Sequence, residues 1–224
     1  MNDFPNTRQV TGSKTCGPVC LLNIYDHFGK SVPLSQILQE LHVEDSESTY
    51  TPQLAKNCIV HGLETVMLTS NSFSVAPNWK GKTKEEIIVL LKTWVTQNAG
   101  DAWLKETLFL LFYLEAGGNL DIVDLSTAIV DDYLDKGYIL LAALEESWLW
   151  EKRKLEGKAE YDDIKGHTRG HFVVVYGKEG DEYLVSDPYS TTIPNREGLY
   201  KISKQKLFIA TLIWSHEFLA IKNG

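Results

Sequence analysis

Apolar residues recur at helical spacing from Cys16 onward: Val19, Leu22 and Tyr25 form one row, and Leu21, Ile24 and Phe28 widen it. Thr15 stands where an N-cap belongs, Pro18 falls in the first turn, where a missing N–H is harmless, and Gly29 stands where a helix ends. The same spacing predicts helices over residues 33–41, 51–61, 83–97, 101–115 and 125–135. Gly62, Asn98-Ala99-Gly100, Gly117-Gly118 and Gly137 punctuate them. Residues 63–68 read as a strand. From Tyr138 the strand pattern dominates, at residues 138–144, 171–176, 183–187 and 217–222, with one more helix over 203–214. A helix-rich first half before a sheet-rich second half predicts an α+β fold, with the helical half packed on an antiparallel sheet.

The 224 residues are enough for one large domain or two small ones at roughly 150 residues each. No repeat or low-complexity tract divides them, so a single domain over 1–224 is expected, with a helical elaboration at about 80–136. At 43% hydrophobic and 23% charged, the chain can bury a core without a metal or disulfide staple. A formal net charge of −8 argues against nucleic acid or anionic lipid as a partner. The longest apolar run, residues 108–114, is far shorter than the roughly 20 residues a membrane span needs. Three cysteines (Cys16, Cys20, Cys58) and a start that does not read as a secretory signal point to reduced thiols and a cytoplasmic setting.

Residues 145–165 carry 12 charges among 21 positions, with at most a short helix around residues 148–155. Such a run reads as a solvated surface excursion. Its place just before His171 also suits a loop overhanging a cleft, with Trp148 and Trp150 lining a groove or covering the core.

Candidate chemistry begins at Lys14-Thr15-Cys16-Gly17-Pro18. A thiol at a helix start faces the positive end of the dipole and unpaired N–H groups, which favour its thiolate form. Gly17 leaves room for a substrate backbone, and the Cys16 N–H can hold the oxygen of an attacked carbonyl. The competing reading makes Cys16 a small core residue, as expected for Cys20 and Cys58. Cys16-x3-Cys20 alone is a poor metal site, and none is expected.

The second element is His171-Phe-Val-Val-Val-Tyr176, five turn-forming residues, then Glu182-Tyr-Leu-Val-Ser-Asp187. If Tyr176 pairs with Glu182, His171 falls opposite Asp187, Val173 opposite Val185 and Val175 opposite Tyr183. Opposed residues share a face, so a carboxylate would stand beside an imidazole at the open end of the hairpin. A bulge would shift this register, and Asp187-Pro188 also reads as a plain turn.

Gln9, Thr15-Cys16-Gly17-Pro18, Phe28-Gly29, His171-Phe172-Val173-Val174-Val175 and Asp187-Pro188, in that order, resemble the papain-like cysteine peptidases. The group they are most similar to is the bacteriocin-processing, double-glycine leader peptidases and their stand-alone relatives. The resemblance spans about residues 5–70 and 137–222. It implies a papain-like fold and a cysteine peptidase acting on a peptide or small protein without cofactor or metal. Cys16 would be the nucleophile, His171 the general base and later acid, and Asp187 the group that orients the imidazole. Gln9 would be the side-chain donor to the oxyanion, although its distance from Cys16 is one residue longer than the family's usual pattern. The same triad also suits acyl transfer to an amine, and a related scaffold can bind a leader peptide without cutting it. The weaker candidates are His167 with His171 as metal ligands, and Gly117-Gly118, read as a turn. His27, His42, His61 and His216 show no partner in the sequence, and Asp124, Asp131 and Asp132 read as solvated helix positions.

Overall fold

The computed structural model describes residues 4–155, 160–194 and 196–224. Helix α1 (Cys16–His27) buries Val19, Cys20, Leu21, Asn23, Ile24 and Tyr25, and Gly29 follows it at φ 69°. Thr15 precedes α1, but its hydroxyl makes no capping bond and pairs with Ser13 Oγ at 2.7 Å. Helices α2 (Leu34–Leu41) and α3 (Thr51–Val60) lead into strand β1 (Leu63–Thr69). Helix α4 (Lys84–Gln97) opens on a reciprocal cap: Thr83 Oγ1 accepts from Glu86 N–H, and Glu86 accepts from Thr83 N–H. Next come α5 (Leu104–Glu115), β2 (Asn119–Ile122), α6 (Thr127–Asp135), β3 (Ile139–Glu145) and α7 (Glu146–Trp150). The chain ends in β4 (Gly170–Glu179), β5 (Glu182–Asp187), β6 (Gly198–Ser203), α8 (Lys204–Trp214) and β7 (Glu217–Asn223).

The strands form one sheet in the order β2-β1-β7-β3-β4-β5-β6, antiparallel except for β1 with β2. Its two faces bury separate cores. On one, Leu141, Val174, Leu219 and Ile221 meet Leu21 and Ile24 of α1, Leu54 of α3 and Leu110 of α5. On the other, Leu140, Val173, Val185 and Phe218 meet Leu207 and Ala210 of α8, Val130 of α6 and Trp150 of α7. Strand β3 is buried along its whole length, as a central strand covered on both faces must be.

The α+β architecture agrees with the sequence pattern, and several expectations need correction. Strands β2 and β6 carry no predicted element, and the supposedly helical middle therefore contains a strand. The short helix of the charged segment is Glu146–Trp150 rather than one over residues 148–155. That segment is solvated only in part: Glu151, Lys152, Arg153, Glu160, Asp163 and Lys165 are exposed, whereas Glu145, Glu146, Leu149, Trp150 and Lys154 are buried, and residues 156–159 lie outside the described residues. Asp131 is half-buried and accepts from Lys204 Nζ at 2.7 Å, tying α6 to α8. Asp124 precedes α6 and pairs on the surface with Lys80. Gly117-Gly118 is a turn, with Gly117 at φ 101° and Gly118 closed in by the Tyr113 ring. His61 has a partner after all, Glu40 at 2.7 Å.

Candidate active site

Helix α1 packs on β4 and sets Cys16 at the end of the sheet where β4 begins. Gly17 is needed here for packing, not for substrate access: a Cβ there would lie 2.4 Å from Thr49 Oγ1 and 2.9 Å from Leu54 Cδ1. Cys16 is half-buried, whereas Cys20 and Cys58 have no exposed surface. Cys20 donates to the Phe172 carbonyl at 3.3 Å. Burial pushes the Cys20 thiol well above its ordinary range, and burial pushes Cys58 up to about 12, so both stay protonated at neutral pH.

The hairpin register differs from the expected one. The turn is only Gly180-Asp181, with Glu179 pairing Glu182, and a bulge between Val175 and Gly177 lets Val175 pair with Val185. Relative to the predicted pairing the strands are displaced by two residues. A shift of two preserves the face, because side chains alternate with period two. Continued to the open end, this register places Asp187 and His171 as diagonal neighbours, within reach of long side chains. His171 Nε2 lies 2.8 Å from Asp187 Oδ1, and both residues are buried.

Asp187 is held by more than the histidine. Its Oδ1 also accepts from Tyr189 N–H at 2.9 Å, and its Oδ2 accepts from Tyr200 O–H at 2.9 Å and Trp150 Nε1–H at 3.3 Å. The Trp150 ring sits 5.2 Å from the imidazole and excludes water from that side. Burial alone would lower the His171 pKa. The Asp187 charge and hydrogen bond overcome this, with the Cys16 sulfur adding to them, and push it up to about 10. With Nε2 turned to Asp187, the nitrogen left for the sulfur is Nδ1.

Gln9 is buried in the loop before α1. Its Nε2 donates to Ser13 O at 3.1 Å, and its backbone N–H donates to Pro188 O at 2.9 Å, joining the approach to Cys16 to the turn after Asp187. Behind the ring of Trp150 lies a buried ion pair, Glu146 with Lys154 at 3.8 Å, whose ammonium stands 3.8 Å from the Tyr189 ring centre. His167 is held by a backbone bond to Lys154 O instead of sharing a helix with His171. Sequence reasoning missed Tyr200 altogether, and it placed Trp150 as a groove liner or core cover without its bond to Asp187. Trp150 stood in a charged run, and the only signal for Tyr200 was the short alternation Tyr200-Lys201-Ile202.

The model of the Peptidase_C39 like family matches residues 1–208 of the chain. The chain belongs to that family. Its fold is shared by two solved C39 proteins. One is the peptidase domain of Streptococcus ComA, a bi-functional ABC transporter of a quorum-sensing pathway, with TM-score 0.50 and 12% identity over 99% of both chains. The other is a protein from Bacillus anthracis described as a C39-like peptidase, with TM-score 0.50 and 12% identity over 99% of this chain and 96% of that one. The architecture is therefore the papain-like α+β fold of C39 peptidases. No curated protein matches the sequence. Among the described residues no helix is long and apolar enough to cross a membrane.

Proposed function

We propose that this C39-family chain is a cysteine peptidase that hydrolyses an amide bond in a peptide or small protein. The observation that carries the reading is the buried 2.8 Å contact of His171 Nε2 with Asp187, which leaves the other face of the imidazole to Cys16. An imidazole held protonated near neutral pH pairs with a thiolate, and that sulfur adds to the substrate carbonyl. The oxyanion is met by the Cys16 N–H and by the Nε2 hydrogen that Gln9 does not spend on Ser13. His171 then gives its proton to the departing amine, leaving a thioester. Neutral His171 takes a proton from water, hydroxide adds to the thioester, and the acid is released with the thiol restored.

Iodoacetamide tests the nucleophile. Cys16 is expected to alkylate first in the folded protein, and Cys16→Ala is expected to lose that labelling together with all peptide cleavage. Preferential labelling of Cys20 or Cys58, or cleavage surviving in Cys16→Ala, would sink the assignment.

A further inference from the structure

Helix α8 ends at Trp214, where Ser215 Oγ bonds the Ala143 carbonyl at 2.6 Å and His216 takes φ 57°. The sharp turn lays the indole over the start of β4. A Cβ on Gly170 would lie 2.5 Å from Trp214 Nε1, Cε2 and Cζ2, so the ring rests against the Gly170 backbone and fits only because that residue is glycine. Gly170 is exposed and directly precedes His171. Trp214 keeps 48% of its surface exposed, and Ile213 beside it keeps 50%.

The position of Cys16 relative to this ring follows from the geometry of α1 on β4. Cys20 touches the Phe172 carbonyl, and His27 packs against Phe4, which stacks on Tyr176, so helix and strand run in the same direction. Four residues back along a helix is about 6 Å, and two residues back along a strand is about 6.6 Å. Cys16 therefore lies level with Gly170. In addition, β4 is laddered to β3 from Gly170 onward but to β5 only from Val174, which leaves one edge of its first residues outside the sheet.

We infer that Trp214 is a specificity-determining wall of the cleft, taking an apolar side chain, aromatic or branched aliphatic, of an extended peptide beside the bond to be cut. The inference rests on the reading of Cys16 as nucleophile. A half-exposed indole within one residue of the histidine offers a large rigid apolar surface to that side chain.

The test compares alkylation of Cys16 by two peptide chloromethyl ketones, acetyl-Phe-Gly and acetyl-Ser-Gly, with iodoacetamide as the control reagent. The wild-type protein is expected to react about tenfold faster with the phenylalanine reagent. Trp214→Ala is expected to bring the ratio of the two rates to within about twofold of one, and Trp214→Phe to restore most of it. A wild-type ratio near one overturns the inference whether or not the variants fold, and so does a preference that survives in Trp214→Ala. In either case, labelling of Cys16 by iodoacetamide leaves the nucleophile standing. Wild-type protein that iodoacetamide does not label at Cys16 overturns the catalytic reading and this inference with it.

Discussion

The Asp187 carboxylate accepts four hydrogen bonds from four separate places: β4, the turn after β5, β6 and α7. Such a carboxylate is fixed in orientation, so the imidazole it holds is fixed too. Tyr200→Phe removes one donor without opening a cavity. About a tenfold fall in kcat/KM is expected, the scale of one hydrogen bond to a charged group at ~1.4 kcal/mol. The carboxylate then pulls harder on the imidazolium, so the alkaline limb of the pH–rate profile should move to higher pH. A fall in rate with an unmoved profile would make Tyr200 merely structural. The sequence disclosed the residue types of this site through local signals: a cysteine opening a helix, and a histidine and aspartate at matching ends of two strands. Trp150 and Tyr200 gave no such signal, because each reaches Asp187 only through tertiary packing.

Among the elements, the β4–β5 hairpin shows why the site was legible although the register was not. The predicted five-residue turn is in fact two residues preceded by a bulge in β4, and the two differences together displace the strands by an even number. Parity survived, and with it the shared face. The N-terminus of α1 is constrained in a different way. Gly17→Ala drives a methyl group into Thr49 and Leu54, and a loss of about 1–3 kcal/mol in unfolding free energy is expected from the overpacking. Urea denaturation would check it, and an unchanged midpoint would show that the Thr49 loop yields freely. Helix α7 illustrates what charge counting hides. Glu145 accepts from the Ser147 and Trp148 N–H groups and so caps α7, and its neighbours Glu146 and Trp150 turn inward. A run of charges reads as surface only when those charges have no internal partners.

For the whole molecule, the feature furthest from the sequence is the place of β7. The last strand lies between β1 and β3, and its non-local pairings leave no mark on local periodicity. At its start Glu217 is buried against Glu106. Burial first, and then the Glu106 charge, pushes the Glu217 carboxyl up to about 8. Because the folded state holds this proton more tightly than the unfolded chain, its contribution is fully favourable below the ordinary glutamate range. That contribution is lost as pH rises through about 8. Glu217→Gln should therefore melt above the wild type at about pH 9, with the advantage shrinking as pH falls and vanishing only below about pH 4. Equal differences at both pH values in thermal denaturation would refute the buried-carboxyl account.

The seat of β7 also sets a timetable. While the chain is being made, β1 with β2 and β3 through β6 have no strand ladder between them, and each carries a raw inner edge where the missing strand belongs. The sheet beneath the thiol made at the outset and the imidazole made some 155 residues later is thus complete only after residues 217–223 have been synthesised and slotted between β1 and β3. On the peptidase reading proposed above, a nascent chain is expected to cut nothing, itself included, until its closing strand has completed that sheet.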